Sequence, residues 1–154
     1  GLGDDWTLLM VGEGEQRAAA EEIARRYPAA RIVFAGWRDQ SRIAEGYAVA
    51  DIFVLPSAWQ ETWGLVVNDA MNFGCALIVS DRVSAGRALV DGACGLVFAH
   101  DDRAALVAAL RRLAEDGELR IRLGAAGREK IAGWNVDAYM AGLRKALGLE
   151  SRSA

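Results

Sequence analysis

Residues 61–74 read E-T-W-G-L-V-V-N-D-A-M-N-F-G and carry two carboxylates, Glu61 and Asp69, eight positions apart. A strand-like run at residues 51–57 precedes this segment, and another at 76–80 follows it. The stretch between them reads as a helix over 63–73, with Gly74 as its C-cap. The two acids therefore bracket the start of a helix at the carboxyl end of a buried strand, which is where open α/β sheets bind ligands. A helix N-terminus there offers unpaired N–H groups and the positive end of a dipole, both suited to phosphate. Acceptor carboxylates beside such a cradle point to a ligand with phosphates and hydroxyls together.

The elements that must position these residues alternate along the chain. Residues 7–11, T-L-L-M-V, form an apolar run with no polar alternation, as expected of a strand buried on both faces. Gly12, Glu13 and Gly14 turn the chain. Residues 16–27 are Ala-rich and amphipathic, and Pro28 stops them. A strand over 31–35 closes at Gly36, and Ser41 is placed to cap a short helix running to about residue 49. Short strands follow at 51–56, 76–80 and 95–98. The pattern then turns helical over 102–114, over 118–131 and, capped by Asn135, to residue 147, with a frayed tail over 150–154. This alternation predicts an α/β fold, doubly wound around a mostly parallel, Rossmann-like sheet.

Composition narrows the functional classes. With 154 residues, 53% hydrophobic and 25% charged, the chain is expected to form a single globular domain. A net charge of −3 gives no nucleic-acid footprint. No apolar run is long enough to span a bilayer, and the opening residues, G-L-G-D-D, do not read as a signal peptide. Cys75 and Cys94 read as reduced, buried thiols of a cytoplasmic protein. One His and two distant Cys offer no metal-ligand spacing, so no metal is expected.

Six motifs, in order, carry a resemblance to a known family. They are Val11-Gly12-Glu13-Gly14, Phe34-Ala35-Gly36, Ala50-Asp51 through Pro56-Ser57, Glu61 through Gly74, Ser80-Asp81, and Asp91-Gly92-Ala93-Cys94-Gly95-Leu96-Val97-Phe98. Together they resemble the C-terminal, donor-binding domain of retaining glycosyltransferases with the two-domain GT-B fold, of the family four or group one type. The likeness implies transfer of a hexosyl group from a nucleoside-diphosphate sugar with retained configuration, no metal and no other cofactor. It implies that Glu61 is the catalytic-site acid that orients the donor sugar and that Asp69 grips the ribose. The turn at Trp63, Gly64, Leu65 and Val66 would bring N–H groups to the diphosphate, and Gly36 and Trp37 would meet the base. Trp63 either lines the sugar pocket or plugs the core, and Trp37 either stacks on the base or lies on the surface.

The chain also departs from the family pattern. Asp69 stands where relatives have Glu, which retracts the carboxylate by about 1.5 Å, one carbon–carbon bond. The loop after Asp81 reads R-V-S-A-G-R, and Arg82 and Arg87 are expected as solvated surface arginines. His100 is expected to play no catalytic part. The family's basic pair for the leaving diphosphate, its first sheet strand and its N-terminal acceptor domain all precede the matched motifs. The expectation is therefore a single nucleotide-sugar-binding domain over 1–154, lacking the first strand. It would be inactive alone and dependent on an acceptor domain or partner chain, with any membrane contact made through that other half. The alternative is a non-catalytic nucleotide-sugar-binding or interaction module of a split enzyme.

Overall fold

The computed structural model describes residues 5–149. The polar opening residues 1–4 and the expected frayed tail lie outside them. The chain alternates as β1 (Thr7–Val11), α1 (Arg17–Arg25), β2 (Arg31–Gly36), α2 (Ile43–Ala48), β3 (Ile52–Leu55), α3 (Leu65–Asn72), β4 (Ala76–Ser80), α4 (Ser84–Leu89) and β5 (Gly95–Phe98). Three helices close it: α5 (Arg103–Glu115), α6 (Gly117–Ala132) and α7 (Val136–Ala146). Every strand pair is parallel, as expected. The strands form two sheets, β1–β2 and β3–β4–β5.

β4 is the centre of the core, and all five of its residues are buried. Its side chains alternate between two apolar clusters. Leu77 and Val79 join Val67, Met71, Val83 and Leu89 on the α3–α4 face, while Ala76 and Ile78 join Leu113, Leu119 and Leu123 on the α5–α6 face. A strand covered by helices on both faces needs no polar alternation, which explains its unbroken apolar run. Each large side chain buried there contributes about 1.5–3 kcal/mol.

The first half-sheet is different. Every residue of β1 is exposed, with Leu8 at 53%. The two alternatives for a sheet without its first strand are direct pairing of the halves or exposed edges, and the structure shows the second. β1 and β3 are not hydrogen-bonded, and among the described residues no strand lies between them. Contacts through Arg120 and through α2 bridge the gap. The Arg120 guanidinium sits 5.1 Å from the centre of the Trp6 ring and 3.8 Å from an Asp51 oxygen at the start of β3. Gly46 of α2 brings that helix close to Leu9 and Val11.

Caps fall largely where sequence places them. Asp102, Asp116 and Asn135 each accept an N–H three residues on, and start α5, α6 and α7. Gly74 follows α3 with φ 75°. Ser41 does not cap α2. α2 starts without a side-chain cap, and the Asp39 carboxylate instead accepts the N–H groups of Ser41 and Arg42 in the turn before the helix. Near β5, the Asp91 carboxylate accepts Lys130 Nζ at 2.9 Å and the Ala93 N–H, which together hold its pKa at about 2. This ties the loop before β5 to α6.

Gly124 inside α6 has a packing reason. A Cβ on Gly124 would lie 2.0 Å from the Gly74 carbonyl oxygen. That neighbour is backbone and cannot swing aside, so the helix rests directly on the turn that ends α3. Gly124→Ala is therefore expected to destabilise the chain by about 1–3 kcal/mol or more. Urea denaturation, monitored by circular dichroism, checks this.

Candidate functional site

The carboxyl ends of β3 and β4 meet at a short stretch of paired backbone. Glu61 N donates to Arg82 O at 2.9 Å, and Glu61 forms a parallel bridge with Val83. Ser84 Oγ donates to Glu61 O at 2.8 Å, and Ala85 N donates to Trp63 O at 2.8 Å. The loop after β3 is thus sewn to the turn after β4. Glu61 is half-buried, and its Oε1 accepts the Ser57 hydroxyl at 2.9 Å. Ser57 is fixed in turn, since the buried Ser80 hydroxyl donates to its carbonyl at 2.7 Å.

The start of α3 lies next to Glu61. Gly64 is its N-cap, with φ 91° and no side-chain cap. Unlike α5, α6 and α7, this helix leaves its first N–H groups without a side-chain acceptor, and those groups have no partner within the helix. The turn is open, with Leu65 71% exposed. Gly64 is required twice over. Its φ lies in the left-handed region, and a Cβ there would meet Val83 Cγ1 at 2.9 Å.

Asp69 is exposed, on the flank of α3 that faces α2. Burial, and then the Asp69 charge, push the Tyr47 hydroxyl of α2 up to about 12. One turn on, Phe73 stacks on the Tyr47 ring at 5.7 Å. Helical side chains tilt toward the N-terminus, so the Asp69 carboxylate leans back over the first turn. Glu61 thus precedes α3 on the β4 side, and Asp69 lies a turn into the helix on the side of Tyr47.

The aromatic candidates differ. Trp63 packs partly buried against the core, gives its one donor to Asn68 at 2.9 Å and lies 5.5 Å from the Trp134 ring. Trp37 is 69% exposed beyond Gly36. Gly36 has φ 70°, and its carbonyl accepts Gly12 N at 2.9 Å, which joins the ends of β1 and β2. A cavity of about 230 Å³ opens there, lined by Met10, Gly12, Glu13, Arg17 and Phe34. A broader open depression of about 610 Å³ on the outer face of α5 holds no candidate carboxylate.

Three groups escaped the sequence reading. Ser57, Ser80 and Ser84 fix Glu61 through hydrogen bonds that span up to 23 positions, and only the P-S and S-D ends of the strand motifs signal them. Arg82 is not a freely solvated arginine. Its Nε and Nη2 lie 3.1 and 3.3 Å from the two ring nitrogens of His100. The His100 backbone N–H donates to Asp81 Oδ1 at 3.0 Å and is the main cause holding that carboxyl below its ordinary range. Among the described residues, no three His, Cys, Asp or Glu side chains converge.

Parallel strands with helices packed on both faces define an α/β domain of the GT-B, Rossmann-like class. The chain belongs to the group 1 glycosyl transferases, whose family pattern matches residues 2–130. It is 31% identical over 127 residues to the phosphatidyl-myo-inositol mannosyltransferase of Mycolicibacterium smegmatis, covering 82% of this chain and 32% of that protein. The chain therefore spans about a third of the length of such curated relatives. Among solved structures, sucrose-phosphate synthase from Thermosynechococcus elongatus superposes with a TM-score of 0.76 at 29% identity. That match covers 94% of this chain and 39% of the synthase chain. Anabaena HepE, solved in complex with UDP-glucose, shares the fold with a TM-score of 0.73 at 22% identity, covering 94% of this chain and 41% of its own.

Gly64→Ala is expected to cost at least about 1–2 kcal/mol, from the left-handed backbone alone. It should also disturb the site, because the Val83 contact lies beside the Glu61 bridge. Thermal melts of both forms, with amide spectra of residues 61–69, check this.

Proposed function

We propose that this chain is the donor-binding half of a retaining glycosyltransferase and that it holds a nucleoside-diphosphate sugar along the edge just described. The observation that carries the reading is the start of α3, which has no side-chain cap and exposes Leu65, with Glu61 held just before it and Asp69 on its second turn. In this assignment Glu61 orients the hydroxyls of a donor hexose. The N–H groups of Gly64, Leu65 and Val66 take the diphosphate, Asp69 takes the ribose, and the base lies toward Gly36 and Trp37. Trp63 supports the turn from beneath. HepE, which shares the fold, was solved with UDP-glucose, and the relative that is 31% identical is a mannosyltransferase, which supports a sugar nucleotide as ligand.

Catalysis in this reading is positioning plus electrostatic stabilisation of the departing diphosphate. The helix end supplies partial positive charge, and basic groups of a longer polypeptide supply the rest. The acceptor is held by an N-terminal domain or partner chain, so the isolated chain binds donor without transferring it. The site works in the cytoplasm, and any approach to a membrane is made by the acceptor half.

The test is a titration with UDP-glucose, GDP-mannose and ADP-glucose, followed by the intrinsic tryptophan fluorescence, to which Trp37 and Trp63 near the proposed site contribute. One donor is expected to saturate the wild type. Hydrogen bonds to charged groups contribute about 1.5–3 kcal/mol, so Glu61→Gln should weaken that donor about tenfold or more. It should leave the free nucleoside diphosphate unaffected. Asp69→Glu restores the missing methylene and should tighten donor and diphosphate alike. Equal binding by wild type and Glu61→Gln, or weaker binding by Asp69→Glu, contradicts the assigned roles.

A further inference from the structure

We propose that Ser57 is a positioning residue that sets the aim of Glu61 and so governs how much the sugar moiety adds to donor binding. The inference rests on the donor-site reading above and adds a residue that sequence reasoning did not assign. A glutamate side chain at a loop end has several rotatable bonds, and fixing them costs entropy that a ligand would otherwise have to offset. Here the cost is met before the ligand arrives. Ser57 Oγ donates to Glu61 Oε1 at 2.9 Å, and that bond uses one carboxylate oxygen. Oε2 is left to accept ligand hydroxyls.

The anchor behind Ser57 is rigid. Ser80 is the one buried polar side chain among the described residues, and it sits at the end of the fully buried strand β4. Its hydroxyl donates to the Ser57 carbonyl at 2.7 Å. A buried hydroxyl is costly unless paired, so this bond holds the loop to the sheet. Order passes from core strand to loop backbone, and from the Ser57 hydroxyl to the carboxylate. The Glu61 main chain is pinned separately by Arg82 and Ser84, so loss of the Ser57 hydroxyl frees the side chain and leaves the backbone in place.

Calorimetry of the whole chain with UDP-glucose against UDP, GDP-mannose against GDP, and ADP-glucose against ADP provides the test. The quantity read is the ratio of sugar-nucleotide to nucleotide affinity. For the pair that the wild type binds, Ser57→Ala is expected to lower this ratio about three- to tenfold while leaving the Kd of the nucleotide itself unchanged. Ser57→Thr keeps a hydroxyl and should restore the ratio. A merely structural role predicts equal weakening of both ligands. That outcome, an unchanged ratio in Ser57→Ala, or a failure of Ser57→Thr to restore it, overturns the proposal. If Glu61→Gln itself leaves the ratio untouched in every pair, the donor-site reading fails first and independently.

Discussion

The structure depends on a short parallel pairing between the Glu61 segment and the turn after β4. One backbone bond to Arg82, one from the Ser84 hydroxyl and one backbone bond between Ala85 and Trp63 bind two crossover loops together. Without them, the loop from Ser57 to Gly64 would have no reason to approach β4, and α3 would begin elsewhere. With them, a carboxylate and a helix N-terminus are fixed relative to the most buried strand of the molecule. Gly64 completes the arrangement, since only a residue without Cβ can turn there against Val83.

The rest of the fold supports that edge unevenly. Sheet β3–β4–β5 is covered on both faces and carries both core clusters. Sheet β1–β2 is exposed along its apolar strand and joined to the other by Trp6, Arg120 and α2. Two unpaired parallel edges of this kind are ready templates for another strand. The half of the site assigned to sugar and phosphate thus stands on the stable sheet. The half assigned to the base stands on the weaker one, so that end of the site is expected to gain most from completion of the sheet.

Much of this was legible in the sequence, and the exceptions have physical causes. The unbroken apolar runs of β1 and β4 look alike, yet one is exposed and the other fully buried, because burial depends on neighbours that a local pattern does not report. Helix α4 went unread. It has six residues, and Gly86 is there because a Cβ would meet Val79 at 2.8 Å. The stretch after Asp81, expected as a loop, is helical from Ser84. Ser41 looked like a cap, but its hydroxyl donates back to Asp39 and α2 starts without a side-chain cap. Glu61 and Asp69 were visible as types at a spacing. The serines that aim Glu61 were not, because their bonds join residues brought together only by the fold, and the pairing of Arg82 with His100 was hidden for the same reason.

The central claim is that the pyrophosphate of a sugar nucleotide docks on the first turn of α3. Amide chemical-shift mapping during titration with UDP, GDP and ADP tests it most directly. The account predicts that the largest saturable shifts fall on the N–H groups of Gly64, Leu65 and Val66, with smaller ones near Asp69 and Gly36. Shifts confined to the outer face of α5, or absent from residues 64–66 at saturation, would contradict it.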